Sequence, residues 1–117
     1  MAHFVLFYVT GPGERPPERS EQELHAVLGR YAARGDGLRA RGRLAGGARL
    51  TSVWSDPGRV CSGSGAKFLV TDGPLAEAKE VIGGYGVVEA ADYDEAVSLC
   101  RDHPHLAEGH IVIRRLA

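Results

Sequence analysis

Lysine occurs only twice in this chain of 117 residues, at Lys67 and Lys79, and cysteine only twice, at Cys61 and Cys100. Positive charge therefore rests on arginine, and it is balanced: the formal net charge is −1, with acidic and basic residues interleaved. A nucleic-acid surface needs a basic excess or a dense basic stripe. The nearest thing to one is the Arg39, Arg41, Arg43 series, broken by small residues, so no nucleic-acid partner is expected. Long apolar runs are missing too. The longest, His3 to Val9, falls far short of the roughly 18 residues that would cross a bilayer. It also lacks the basic flank and small-residue cleavage site of a secretion signal. The expectation is a cytoplasmic protein without membrane contact, its two thiols reduced and unpaired.

What remains is ordinary for a globular domain: 44% hydrophobic and 25% charged residues. The length allows one domain, residues 1–117, with one modest core. His3 to Val9 is apolar on both alternating faces, which predicts a strand covered on both sides. After a Pro- and Gly-rich stretch from Thr10 to Arg19, Ser20 and Glu23 have the spacing of a capping box. Leu24, Val27, Leu28, Tyr31 and Leu38 then recur at helical spacing, with Gly35 and Gly37 expected to fray or bend the helix before Gly42. Leu44 to Trp54 and Ala66 to Thr71 read as strands, as does Tyr85 to Ala90. Asp92 and Glu95 form a second capping box, opening a helix through Ala96, Val97 and Cys100 that Pro104 ends. His110 to Leu116 reads as the closing strand.

The order β-α-β-β-β-α-β contains the split β-α-β skeleton of the ferredoxin-like α+β fold, with an inserted strand or hairpin. Two helices cover one sheet face only. The first strand is apolar on both, so a second copy of the chain is the simplest cover for the other, and a homodimer is expected.

The segment Val70-Thr71-Asp72-Gly73-Pro74-Leu75-Ala76-Glu77-Ala78-Lys79-Glu80, followed by Gly83-Gly84-Tyr85, resembles the signature of the DGPF branch of YCII-related proteins. Leu75 stands where that signature has Phe. Gly46-Gly47 and the ending Gly109-His110-Ile111-Val112-Ile113-Arg114 fit as well, so the resemblance covers almost the whole chain. It implies a dimeric α+β barrel. It also implies kinship with cofactor-free lyases of small cyclic compounds, in which a His/Asp pair moves protons. In this chain Tyr31 stands at the position of the first-helix histidine, and His103 at that of the aspartate before proline. Both polar positions are kept and the chemistry at each is changed.

The residues expected to carry function are Asp72 as base and His103 as acid, with Tyr31 and Tyr85 as hydrogen-bond donors to a small molecule. Asp72 ends a strand before a Gly-Pro turn, where a carboxylate caps backbone amides or accepts a proton. His103 titrates near neutrality unless its surroundings shift it. His103-Pro104-His105 has no thiolate or carboxylate pattern to complete a metal site, so no metal is expected. Glu77, Lys79 and Glu80 read as a solvated helical turn. Gly63-Ser64-Gly65-Ala66-Lys67 lacks P-loop spacing, and Gly84-Tyr85-Gly86 enters a strand, not the helix of a dinucleotide site. The leading reading is a cofactor-independent lyase, isomerase or cyclase of the kind that tailors secondary metabolites, transferring protons in a cleft between helices and sheet. The rival is a ligand-sensing or partner-binding module tied to sigma-factor regulation, since domains resembling this one occur joined to or encoded beside such factors. Haem binding is a third option, and it requires an axial histidine in the cleft.

Overall fold

In the computed structural model, which describes residues 1–10, 19–52, 55–73 and 80–117, strand β1 (Ala2–Thr10) lies at the centre of the main sheet. Its side chains alternate by face as far as the irregularity between Tyr8 and Val9. Phe4 and Leu6 are fully buried on one face, while Val5 and Phe7 on the other are half-buried. Helix α1 (Glu21–Ala40) starts where expected: the Ser20 hydroxyl accepts the Glu23 amide at 3.1 Å. The carboxylate of Glu23 turns to the Ser20 hydroxyl instead of the Ser20 amide. The expected fraying at Gly35 and Gly37 does not occur, and α1 runs unbroken to Ala40. Packing explains this, because Leu44 on the next strand lies against Gly35 and Leu38 is buried in the core. Tertiary burial outweighs the ~1 kcal/mol that each glycine costs a helix.

Strand β2 (Leu44–Arg49) is shorter than the expected Leu44 to Trp54, whose last two residues lie outside the described ones. The inserted element is a separate two-stranded ribbon of β3 (Arg59–Ser62) and β4 (Leu69–Asp72). Ala66 and Lys67, read as strand, belong instead to a 3₁₀ turn over Gly65–Lys67. Val60, Leu69 and Val70 leave the ribbon largely exposed. Strand β5 (Val81–Ala90) begins earlier than Tyr85, because β1 and β2 pair with it on both edges and carry Gly83 and Gly84 into the sheet. Helix α2 (Tyr93–Cys100) opens on Asp92, which accepts the Glu95 amide at 2.8 Å. Asp102, at φ 64°, turns the chain into a 3₁₀ segment over Pro104–Ala107, and β6 (Gly109–Arg115) closes the fold. A short polar residue such as Asp tolerates that left-handed conformation.

The main sheet has the order β2-β5-β1-β6 with every neighbour antiparallel, the ferredoxin-like arrangement expected for an α+β protein of this pattern. Both helices lie on one face, and between them and the sheet Phe4, Leu6, Leu38, Val88, Ala96 and Leu99 form the core. Among the described residues, no helix is long and apolar enough to cross a membrane.

Candidate functional site

Four glycines shape the site before any functional side chain does. Gly46 and Gly47 on β2 and Gly84 and Gly86 on β5 leave the sheet bare beneath α1. A cavity of about 450 Å³ opens there between helix and sheet. Tyr8, on the helix-facing side of β1, lies over this bare patch. A Cβ on Gly86 would come within 2.8 Å of the Tyr8 hydroxyl, so glycine at 86 is what admits the phenol. Leu24, Val27 and Leu28 of α1 supply an apolar wall.

The polar corner of the cavity is built by Tyr31, His103 and His105 around Tyr8. His103 Nδ1 accepts the backbone N–H of His105 at 3.1 Å and so caps the 3₁₀ turn that follows it. An acceptor nitrogen carries no proton, so the neutral ring holds its hydrogen on Nε2. Burial, reinforced by the Arg34 guanidinium and by His105, holds the His103 pKa down at about 4. At neutral pH His103 is therefore an uncharged donor. The sequence expectation of a group titrating near pH 7 is corrected on that point, because the ring is only 5% exposed.

His105 is the same tautomer, and its own contacts say so. Nε2 lies 2.9 Å from the carbonyl of Val9, which can only accept, so Nε2 bears the hydrogen. Nδ1 is left as an acceptor, 3.0 Å from the Tyr31 hydroxyl. Tyr31 also lies 3.4 Å from the Glu108 carboxylate. Burial, with that carboxylate nearby, pushes the Tyr31 phenol up to about 12, so it stays protonated. Glu108 is in turn ion-paired to Arg19 at the cavity wall. Tyr8 packs on both imidazoles, with ring centroids 4.9 Å from His103 and 5.4 Å from His105.

Of the four residues singled out from the sequence, the structure brings two side chains together. Tyr31 and His103 share the cavity, with ring centroids 5.9 Å apart. Tyr85 contributes to the wall from its place between Gly84 and Gly86, but it is paired in register with Phe7. Directly opposed residues point to the same sheet face. Its ring therefore stands with Phe7 on the face away from the helices, which corrects the expectation of a phenol aimed at the cleft. Asp72 is not among the cavity's lining residues. It ends the exposed ribbon with its side chain 82% exposed and faces Arg59 at 3.4 Å. The next residue explains the local motif: a Cβ on Gly73 would collide with the Pro57 carbonyl, while its N–H bonds Gly58. Pro74, Glu77 and Lys79 lie outside the described residues.

His105 and Tyr8 were missed. In the sequence Tyr8 is one residue of a two-sided apolar strand, on the same alternating face as Phe4 and Leu6, and only the fold turns that face toward the helices. His105 was weighed only as a metal ligand. Nδ1 of both His103 and His105 is engaged within the protein, and no cluster of three or more His, Cys, Asp or Glu among the described residues is placed to hold a metal.

A ferredoxin-like sheet with a glycine-floored cavity under its first helix defines the class, an α+β domain with a small-molecule-sized cleft. The chain belongs to the YCII-related family, whose domain matches residues 4–117. No curated protein matches it in sequence. Among solved structures it is similar in fold to 5-chloro-2-hydroxyhydroquinone dehydrochlorinase from Burkholderia phenoliruptrix, determined in complex with 2,5-dihydroxybenzoquinone. The TM-score is 0.52 and identity 19%, over 98% of this chain and 93% of that one.

Proposed function

We propose that the chain is a cofactor-independent enzyme that moves a proton on a small cyclic molecule bound in this cavity, as a lyase, isomerase or cyclase. The observation that carries the reading is the Tyr31–His105 pair, whose tautomer the Val9 carbonyl selects. A substrate C–H or O–H gives its proton to the Tyr31 oxygen as Tyr31 passes its own to His105 Nδ1. The imidazolium that forms keeps its Nε2–H bond to Val9, and the Glu108 carboxylate beside Tyr31 favours the positive charge. The oxyanion that develops on the substrate accepts from Nε2–H of His103, a neutral donor in the cavity wall. Return of the proton to another atom completes an isomerisation, and loss of a leaving group completes an elimination. The fold relative binds a dihydroxybenzoquinone, which fits a ring-bodied, enolisable substrate. Asp72 takes no part in this scheme.

The test is deuterium exchange from solvent into a panel of cyclic 1,3-diketones and hydroxyquinones, followed by NMR. Catalysed exchange that Tyr31→Phe lowers by roughly 10²–10⁴-fold supports the reading. Saturable binding with no exchange at any pH overturns it in favour of a ligand-sensing module.

The same fold supports a homodimer. The sheet face opposite the helices carries Val5, Phe7, Tyr85, Val87 and Val112, and the molecule is only 19 Å across its thinnest direction. A second copy stacked on that face would remove these side chains from water at about 25 cal/mol per Å² of apolar area. Light scattering of the wild type at twice 12.5 kDa, and of Phe7→Glu at 12.5 kDa, is the expected result. A monomeric wild type at micromolar concentration overturns it.

A further inference from the structure

Four arginines, Arg19, Arg34, Arg39 and Arg49, and one carboxylate, Glu108, line the cavity among the described residues. Two of these cations already face an acid: Arg19 pairs with Glu108, and Arg39 with Asp36 at 3.0 Å. Arg34 and Arg49 face none among the described residues, and of these two Arg49 is exposed to water while Arg34 is half-buried. One of its terminal nitrogens donates to the carbonyls of Leu99 and Arg101 at the end of α2, the second at 3.0 Å. Its Nε is shut off from water and has no partner among the described residues. Helix-end carbonyls offer only partial negative charge. A full cation thus sits in a half-buried wall without a full anion to answer it, an arrangement that costs free energy until one arrives. Its field is felt across the cavity, acting to lower the pKa of Tyr8, His103 and Cys100 alike.

We infer that the ligand of this cavity is an organic anion, a ring-bodied carboxylate or phenolate whose ionised oxygen is held by the Arg34 guanidinium. The apolar side chains of Leu24, Val27 and Leu28 take the ring. Arg34 is three residues beyond Tyr31 on α1, so both project from one helix face and act on one molecule. The second terminal nitrogen of Arg34, which α2 does not engage, keeps its N–H donors for an ionised oxygen, and a charge-assisted hydrogen bond of that kind is a strong one. The inference rests on the cavity being the ligand site, as in the proposed function, but not on any turnover there.

The experiment is binding of salicylate, its neutral analogue salicylamide and inorganic phosphate to the full chain at pH 6.5. Calorimetry measures affinity, and NMR follows the His103 ring. Salicylate is expected to bind at least about tenfold more tightly than salicylamide, a difference of ~1.4 kcal/mol. It is also expected to raise the His103 pKa, because it neutralises the Arg34 cation. Phosphate, which has no ring for the apolar wall, is expected to bind weakly. Arg34→Gln should erase the preference for salicylate. Arg34→Lys, which keeps a positive charge and a donor for the α2 carbonyls, should retain the fold and part of the preference. Equal affinity for salicylate and salicylamide, no saturable binding of either, or a preference that survives Arg34→Gln overturns the inference. So does phosphate binding as tightly as salicylate, which would mark a nonspecific anion patch. These readouts need no catalysis, so an absence of deuterium exchange would leave the anion assignment standing and remove only the enzymatic reading.

Discussion

The hydroxyl of Tyr31 and Nδ1 of His105 lie 3.0 Å apart although 74 positions separate them in the chain. Helix α1 supplies one and the short turn before β6 the other. The contact exists only because both elements are packed on the same sheet face. Tyr31→Phe should remove the bond and leave an acceptor nitrogen half-satisfied, lowering stability by about 1 kcal/mol. Nitrogen NMR of His105 checks the tautomer directly: hydrogen should stay on Nε2 in both proteins, because Val9 and not Tyr31 sets it. Exchange of hydrogen to Nδ1 in the variant would show that the Val9 contact is not decisive.

His103 should titrate far below an ordinary histidine. Its folded pKa of about 4 is below the unfolded value of about 6.5, so the unfolded chain takes up a proton first as pH falls. The contribution of His103 to stability should therefore be fully present above pH 6.5 and decline from there toward pH 4, below which both states are protonated. Urea unfolding at a series of pH values measures the decline. A His103 ring that titrates at its ordinary value would contradict the burial seen here.

Asp72→Asn should be nearly silent. Among the described residues it pairs with Arg59 alone, and both side chains are mostly exposed, so the interaction is screened and worth under about 1 kcal/mol. Ligand binding and turnover should not change. A large loss of turnover at unchanged stability would return Asp72 to the reaction.

The two cysteines should differ in reactivity while neither forms a disulfide. Cys61 is exposed on the ribbon, and Cys100 is buried at the end of α2 with its thiol pushed up by that burial. A thiol reagent should label Cys61 at once and Cys100 only on unfolding. Reductant should leave Tm unchanged, since a structural disulfide would instead lower it by several degrees when reduced.

Much of this protein was determined by local pattern alone. The two-sided apolar strand from His3 to Val9 and the caps at Ser20 and Asp92 each depend on neighbours a few residues away, whereas α2 ends at Cys100, ahead of the expected stop at Pro104, which opens a 3₁₀ turn instead. The strand and the caps were legible for that reason, and with the family signature they led to the fold. Tertiary structure decided the rest. Whether α1 breaks at its glycines depended on what packs beside them, and Leu44 of β2 against Gly35, with Leu38 in the core, settled it. Tyr85 and Asp72 looked equally eligible as site residues, but strand register turned one ring to the opposite face, and a separate ribbon carried the other side chain into solvent. The site itself joins Tyr8, Tyr31, Arg34, His103 and His105, drawn from a strand, a helix and a turn. Its key choice, which nitrogen of each histidine holds the proton, is made by the carbonyl of Val9 and the amide of His105. Hydrogen bonding of that kind acts over 3 Å of space regardless of distance along the chain, so only the folded molecule could decide it.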